Sequence, residues 1–227
     1  MTRRHINNKT LNFSICNPFE GFRHFYVMFT VNKARPYVIY VSHEVILGLC
    51  GGLKRDTPNH FSAAAAQSLI EHGAAHVAGD PSTAQLQFVA IGAYQLEEAL
   101  KAHARLEHHG LASCITVVVE PGRLRIPRDE LEAAFVLGDE SLQALFPPHL
   151  PRVLISHTRP EPMLGVLRRI DSGPSKTRAL GYINHGGTLD VAGMLIANRC
   201  TWVDAIYAAA QVTGWNSSQA AAAATDA

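Results

Sequence analysis

The chain has 227 residues, 47% of them hydrophobic and 17% charged, with a formal net charge of +1. That length suits one sizeable domain with an attached segment, and the composition excludes a disordered chain. The near-zero charge provides no global field to recruit nucleic acid or an anionic membrane, and with 7% aromatics there is no stripe suited to stacking bases.

The first 35 residues crowd aromatics into 19–29 with no clean period. Tyr37–Val41 is β-branched and aromatic and predicts a strand. The apolar run from Tyr37 to Leu49 contains Ser42, His43 and Glu44 and is too short to span a bilayer. Met1–Lys9 is polar and basic with no apolar signal core behind it, so a cytoplasmic protein is expected. The four cysteines, Cys16, Cys50, Cys114 and Cys200, form no CxxC pair and imply no disulfide framework. A Gly-rich stretch, Leu47–Leu53, then leads into a connector, Lys54–Asn59.

From there a helix is expected over Ala63–Glu71, with Ser62 as N-cap and Gly73 as stop. Strands are expected at Leu86–Ile91, Ser113–Val119, Arg152–His157 and Arg178–Ile183. Helices are expected between and after them. The first is Tyr94–His109. The next runs from Pro127 to Leu137, with a short turn at Ser141–Phe146. The others are Pro162–Ile170, Leu189–Asn198, capped by Thr188, and Trp202–Thr213, stopped by Gly214. The five alanines within Ser217–Ala227 read as a fraying tail. Alternating strands and helices predict an α/β fold of three layers, a mostly parallel sheet with helices on both faces.

No nucleotide or metal signature is complete. There is no GxxxxGK[ST], and Gly92 alone is no dinucleotide fingerprint. His72 and His76 have i, i+4 spacing, but Gly73 lies between them and no third ligand follows, so they read as a frayed helix end. No nucleophile, base and orienter occur in a supporting pattern, so no catalytic and no metal-binding residue is assigned. His157 falls at the carboxyl end of a strand, the edge at which open α/β sheets bind ligands. Gly186, Gly187 and Thr188 form a turn before a helix, whose N–H groups suit an anion or simply a tight connection.

Four blocks carry a resemblance over about Leu47–Thr213. They are Gly51-Gly52-Leu53-Lys54 with Pro58, the strand–Gly92–helix block with Glu98 and Leu100, the run Ile155–Pro160, and Gly181-Tyr182 followed by Gly186, Thr188, Met194 and Asn198. In this order they are similar to the C-terminal part of the xylulose 5-phosphate/fructose 6-phosphate phosphoketolases, relatives of transketolase. The resemblance implies a five-stranded sheet of the transketolase C-terminal type over residues 55–214. Residues 1–54 would then be an irregular segment and connector, and residues 215–227 a flexible tail. It implies that thiamine diphosphate and magnesium are held by two other domains, so this chain binds no cofactor alone. The expected partner is a thiamine diphosphate-binding subunit, or a second copy in a homodimer. The family's connector lysine, matched by Lys54, faces the sugar phosphate, and a lysine there makes sense as a point charge. The matching is incomplete: Ile183-Asn184-His185 replaces the family's acidic pair, and Arg159 stands in place of a tyrosine. The expected role is a non-catalytic subunit or remnant of a phosphoketolase. The alternative is a sugar-phosphate or small-anion binding domain using Lys54, His157, Gly186, Gly187 and Thr188, without thiamine chemistry.

Overall fold

A computed structural model describes residues 62–183 and 189–225 in full, together with the backbone of five strands in the first 42 residues. The chain divides into two units, Met1–Asn59 and His60–Ala227. In the first, β1 (Arg4–Ile6) pairs antiparallel with β2 (Lys9–Leu11). A separate antiparallel sheet joins β3 (Phe13–Cys16), β4 (His24–Phe29) and β5 (Tyr37–Ser42). Tyr37–Val41 is thus a strand as expected, whereas the earlier four carry no period that composition alone exposes.

The second unit holds one five-stranded sheet in the order β10-β9-β7-β8-β6. Its strands are β6 (Ala74–Ala78), β7 (Leu86–Ile91), β8 (Ser113–Val118), β9 (Arg152–Ser156) and β10 (Thr177–Leu180). β7, β8, β9 and β10 run parallel, and β6 closes one edge antiparallel to β8. The fold is therefore α/β with a mostly parallel five-stranded sheet. Every residue of β7, β8 and β9 is buried, which is why these runs lack alternation.

Helices cover both faces. On one face lie α1 (Ala63–His72), against β6, and α4 (Asp139–Leu145), with α3 (Glu130–Ala133) a single turn preceding it. Val89, Ile91, Val118 and Leu154 from the sheet pack there with Leu142, Leu145, Leu167 and Ile170. α2 (Ala93–His108) lies against β7 and β8, and α7 (Trp202–Thr213) against β9, β10 and α2. α5 (Pro160–Val166), α6 (Val191–Ala197) and α8 (Ser217–Thr225) complete the set. Local signals hold where they are chemical. Ser62 Oγ accepts from the Ala65 N–H at 3.0 Å, and Gly73 and Gly214 end α1 and α7 in the left-handed conformation.

Several expectations are corrected. β6 was not anticipated: His76 lies in this strand, not at a helix end. The expected Pro127–Leu137 helix shrinks to α3, because Asp129 caps from Glu132 N–H and Pro127 stays outside. Pro162–Ile170 starts earlier, at Pro160, and ends in a 3-10 turn at Arg168–Ile170. Asp190, not Thr188, caps α6, accepting from Gly193 N–H at 2.7 Å. The tail expected to fray is α8, whose Ala220 and Ala223 are fully buried against neighbouring helices. Among the described residues no helix is long and apolar enough to cross a membrane.

Candidate functional site

Strand order locates the edge at which to look. From β7 the chain passes through α2 to β8 on one side, whereas from β9 it passes through α5 to β10 on the other. The direction of winding reverses between β7 and β9, so their carboxyl ends flank the crevice where open α/β sheets place ligands. Gly92 follows β7 there, and the exposed His157 follows β9.

His157 is held by backbone. Its N–H donates to Ile91 O at 3.2 Å, and its Nδ1 lies 2.9 Å from the same oxygen. A carbonyl only accepts, so Nδ1 carries the proton and the neutral ring has its lone pair on Nε2. The loop beyond is pinned as well. Ser156 Oγ donates to Thr158 O at 2.9 Å, and Tyr182 N–H donates to the same carbonyl at 3.0 Å. Gly181 sits so close that a Cβ there would lie 2.3 Å from Thr158 O. Ile183 N–H donates to Asn198 Oδ1 at 2.6 Å, and Asn198 Nδ2 donates to Met194 O at 2.8 Å, which ties the end of β10 to α6. The structure therefore brings together three of the four resembling blocks: Gly92, His157–Pro160, and Gly181-Tyr182 with Met194 and Asn198. Glu98, from the second block, has a packing role. It is buried, accepts from Trp202 N–H at 2.6 Å and so caps α7 from another helix. Lys54, Gly186, Gly187 and Thr188 lie outside the described residues.

At the opposite, amino edge is a feature the sequence did not disclose. Arg152 is 1% exposed, and Gln87 and Thr116 are fully buried. Arg152 Nε donates to Gln87 Oε1 at 2.9 Å, and Gln87 Nε2 donates to Thr116 Oγ1 at 2.8 Å. Thr116 Oγ1 lies 2.8 Å from His76 Nδ1, and His76 Nε2 lies 3.3 Å from Ala144 O. The consistent donor order runs from Arg152 to Ala144 O across β9, β7, β8 and β6. Burial pulls the Arg152 guanidinium down to about 10, still cationic at neutral pH. Its remaining bonds go to Ile170 O, Ser172 Oγ and Pro147 O. A cavity of about 390 Å³ beside Arg152 also has Arg169, Asp139 and Asp171 in its wall. Arg169 Nη2 donates to Asp139 at 2.7 Å, so this wall is charge-balanced.

Burial holds His76 below the ordinary imidazole value, against the opposing hydrogen bond to Ala144. The unfolded chain therefore binds the proton more readily. Stability from this group is complete above the unfolded pKa of about 6.5 and is lost as pH falls below it. Burial lowers His103 in the same direction. We expect urea midpoints to fall between about pH 7.5 and about pH 5.5, and His76→Asn to remove part of that fall. Equal pH dependence in both proteins would refute the assignment.

The carboxylates of the two Gly-Asp pairs, Gly79-Asp80 and Gly138-Asp139, are already engaged by donors of the protein. Asp80 is occupied by the Ser82 N–H and hydroxyl at 2.9 and 2.8 Å, and Asp139 by Arg169. No group of three His, Cys, Asp or Glu is placed for a metal among the described residues. Burial pushes both the Cys114 and Cys200 thiols up to about 12, so neither is a nucleophile.

No protein-family model matches the chain, and no curated protein does. Solved structures do. A transketolase from Leishmania mexicana aligns over 65% of this chain and 19% of its own, at 19% identity and a TM-score of 0.48. A mutant transketolase from Pichia stipitis aligns over 70% and 20%, at 15% identity and 0.49. A transketolase from Campylobacter jejuni aligns over 60% and 18%, at 12% identity and 0.44. This chain thus spans about a fifth of the transketolases it resembles in fold.

Proposed function

We propose that the second unit is a non-catalytic domain of a thiamine diphosphate-dependent phosphoketolase, docking on the domains that hold the cofactor. The observation that supports this reading is the convergence at one edge of blocks singled out in sequence. Gly92 abuts His157, Gly181-Tyr182 lies on Thr158 and Pro160, and Asn198 accepts from Ile183 N–H, which draws distant parts of the chain together around β7, β9 and β10. Apolar side chains stand exposed beside them: Ile183 and Leu189 at 46%, Val191 at 40% and Ile196 at 68%. An exposed apolar group of this kind suits a protein surface. In the assembled enzyme the cofactor would cleave a ketose phosphate, with inorganic phosphate, to acetyl phosphate, an aldose phosphate and water. This chain would supply packing.

The test is co-expression with phosphoketolase cofactor-binding domains lacking their own C-terminal domain. We expect co-elution and acetyl phosphate formation from fructose 6-phosphate, with both reduced at least tenfold by Ile196→Asp. Separate elution of the two proteins sinks the reading, and so does full retention of binding by the Asp variant.

A further inference from the structure

Thr116 Oγ1 is a branch point in the buried chain of bonds. Its single hydroxyl proton has two acceptors in reach, His76 Nδ1 at 2.8 Å and Leu145 O at 3.4 Å. The protonation of His76 selects between them. His76 Nε2 lies 3.3 Å from Ala144 O, and a carbonyl only accepts, so Nε2 carries the proton of the neutral ring. Nδ1 then offers a lone pair, and the Thr116 hydroxyl donates to it. The ring is half-buried in β6 and lines a cavity of about 340 Å³ between α1 and α4. The elements packed on β6 are α1, β8 and α4. The titratable groups that share this cavity with His76 are His72 from α1 and Glu140 from α4, and β8 contributes the neutral Thr116 hydroxyl. The cation Arg152 stands at the far end of the chain of bonds, beyond Gln87 and Thr116.

We propose that His76 and Thr116 form a pH-driven switch in the way the sheet holds α4. A proton from water adds to the lone pair of His76 Nδ1. The new N–H and the Thr116 hydroxyl hydrogen cannot occupy the same line, so the hydroxyl turns about its C–O bond toward Leu145 O. No other proton moves. The bond between Nδ1 and Thr116 Oγ1 survives with its direction reversed. Leu145 O already accepts from Gln87 Nε2 at 2.8 Å, and its second lone pair now takes the Thr116 hydroxyl. Ala144 O keeps its bond from Nε2–H, which becomes charge-assisted. Both carbonyls lie at the carboxyl end of α4, where the helix dipole favours a cation. The end of α4 is therefore held by more and stronger bonds in acid, even as burial of the new charge weakens the domain as a whole. The switch belongs to the free chain and does not depend on the docking reading.

The experiment is a pH titration of the full chain by NMR, reading the His76 ring nitrogens and the Leu145 carbonyl carbon. The expected result is Nε2–H alone at neutral pH and both ring N–H groups protected from solvent in acid. The Leu145 carbonyl should shift with the same midpoint as the ring. Thr116→Val, close in shape but without the hydroxyl, should lower the proton affinity of His76 about fivefold, because a bond donated by an imidazolium is worth more than one accepted by a neutral ring. Thr116→Ser should titrate like wild type. If Thr116 held only the neutral ring, Thr116→Val would raise the affinity instead, and that result, or no change, overturns the proposal. The wild-type readings decide even where Thr116→Val does not fold. A Leu145 carbonyl that stays still while the ring titrates overturns the switch, and so does an Nδ1–H lost to solvent. Unfolding before His76 takes its proton overturns it as well.

Discussion

Arg152→Ala should cost about 3–5 kcal/mol, the range for removing one member of a buried charged network and leaving a void. Four acceptors lose their donor at once: Gln87 Oε1, Ile170 O, Ser172 Oγ and Pro147 O. They lie on three segments: the loop before β9, the turn before β10, and β7. For a domain of this size the loss corresponds to a fall in melting temperature of about 10 °C. Arg152→Lys should recover less than half of it, because one ammonium cannot reach acceptors arrayed around a planar fork. Urea denaturation of the three proteins decides the matter. A loss below about 1 kcal/mol for Arg152→Ala would mean that water replaces the network without penalty.

Gly181→Ala should cost about 2–4 kcal/mol and loosen the carboxyl edge. The new methyl would sit 2.3 Å from Thr158 O and 3.0 Å from Pro160 Cδ. A backbone oxygen and a proline ring give way only by moving the loop, at about 1–3 kcal/mol, and that movement also strains the bond from Tyr182 N–H. Hydrogen exchange at the Tyr182 amide reads the local effect and a thermal melt the global one. Unchanged exchange with an unchanged melt would show that the close approach matters little. The same methyl at Gly122 or Gly138, where nothing lies within 4 Å, is the matched control.

Much of the sheet was legible, for a stated reason. Leu86–Ile91, Ser113–Val118 and Arg152–Ser156 are buried on both faces, so they read as continuous apolar runs and the chain between them as helix. β6 was not legible. Ala74–Ala78 is small and weakly β-forming, and only pairing with β8 makes it a strand. α8 misled in the opposite sense. An alanine run reads as featureless, but two of its methyls fill space against neighbouring helices, a tertiary fact. The position of His157 at the carboxyl edge was legible from its place after a strand, a rule of topology. The burial of Gln95 was not legible, because a glutamine in the first turn of a helix ordinarily faces water. Arg152 opens β9 and Gln87 is the second residue of β7, and both read as flanking polar residues. Their register, Gln87 opposite Arg152, is what assembles the chain of bonds.

The two margins of the sheet carry a consequence for how this protein meets others. β6 skips a register between His76 and Ala78, so its ladder to β8 is interrupted by a bulge. β10 is only four residues long, and its Arg178 donates to Gln211 Oε1 and Pro174 O. Bulges, short strands and charged residues are the devices by which natural sheets avoid extension by a foreign strand. Neither border offers a long flat row of free N–H and C=O groups. Association is thereby directed away from strand addition and toward side-chain surfaces on helices and loops, and a strand-forming peptide is a poor ligand for this sheet.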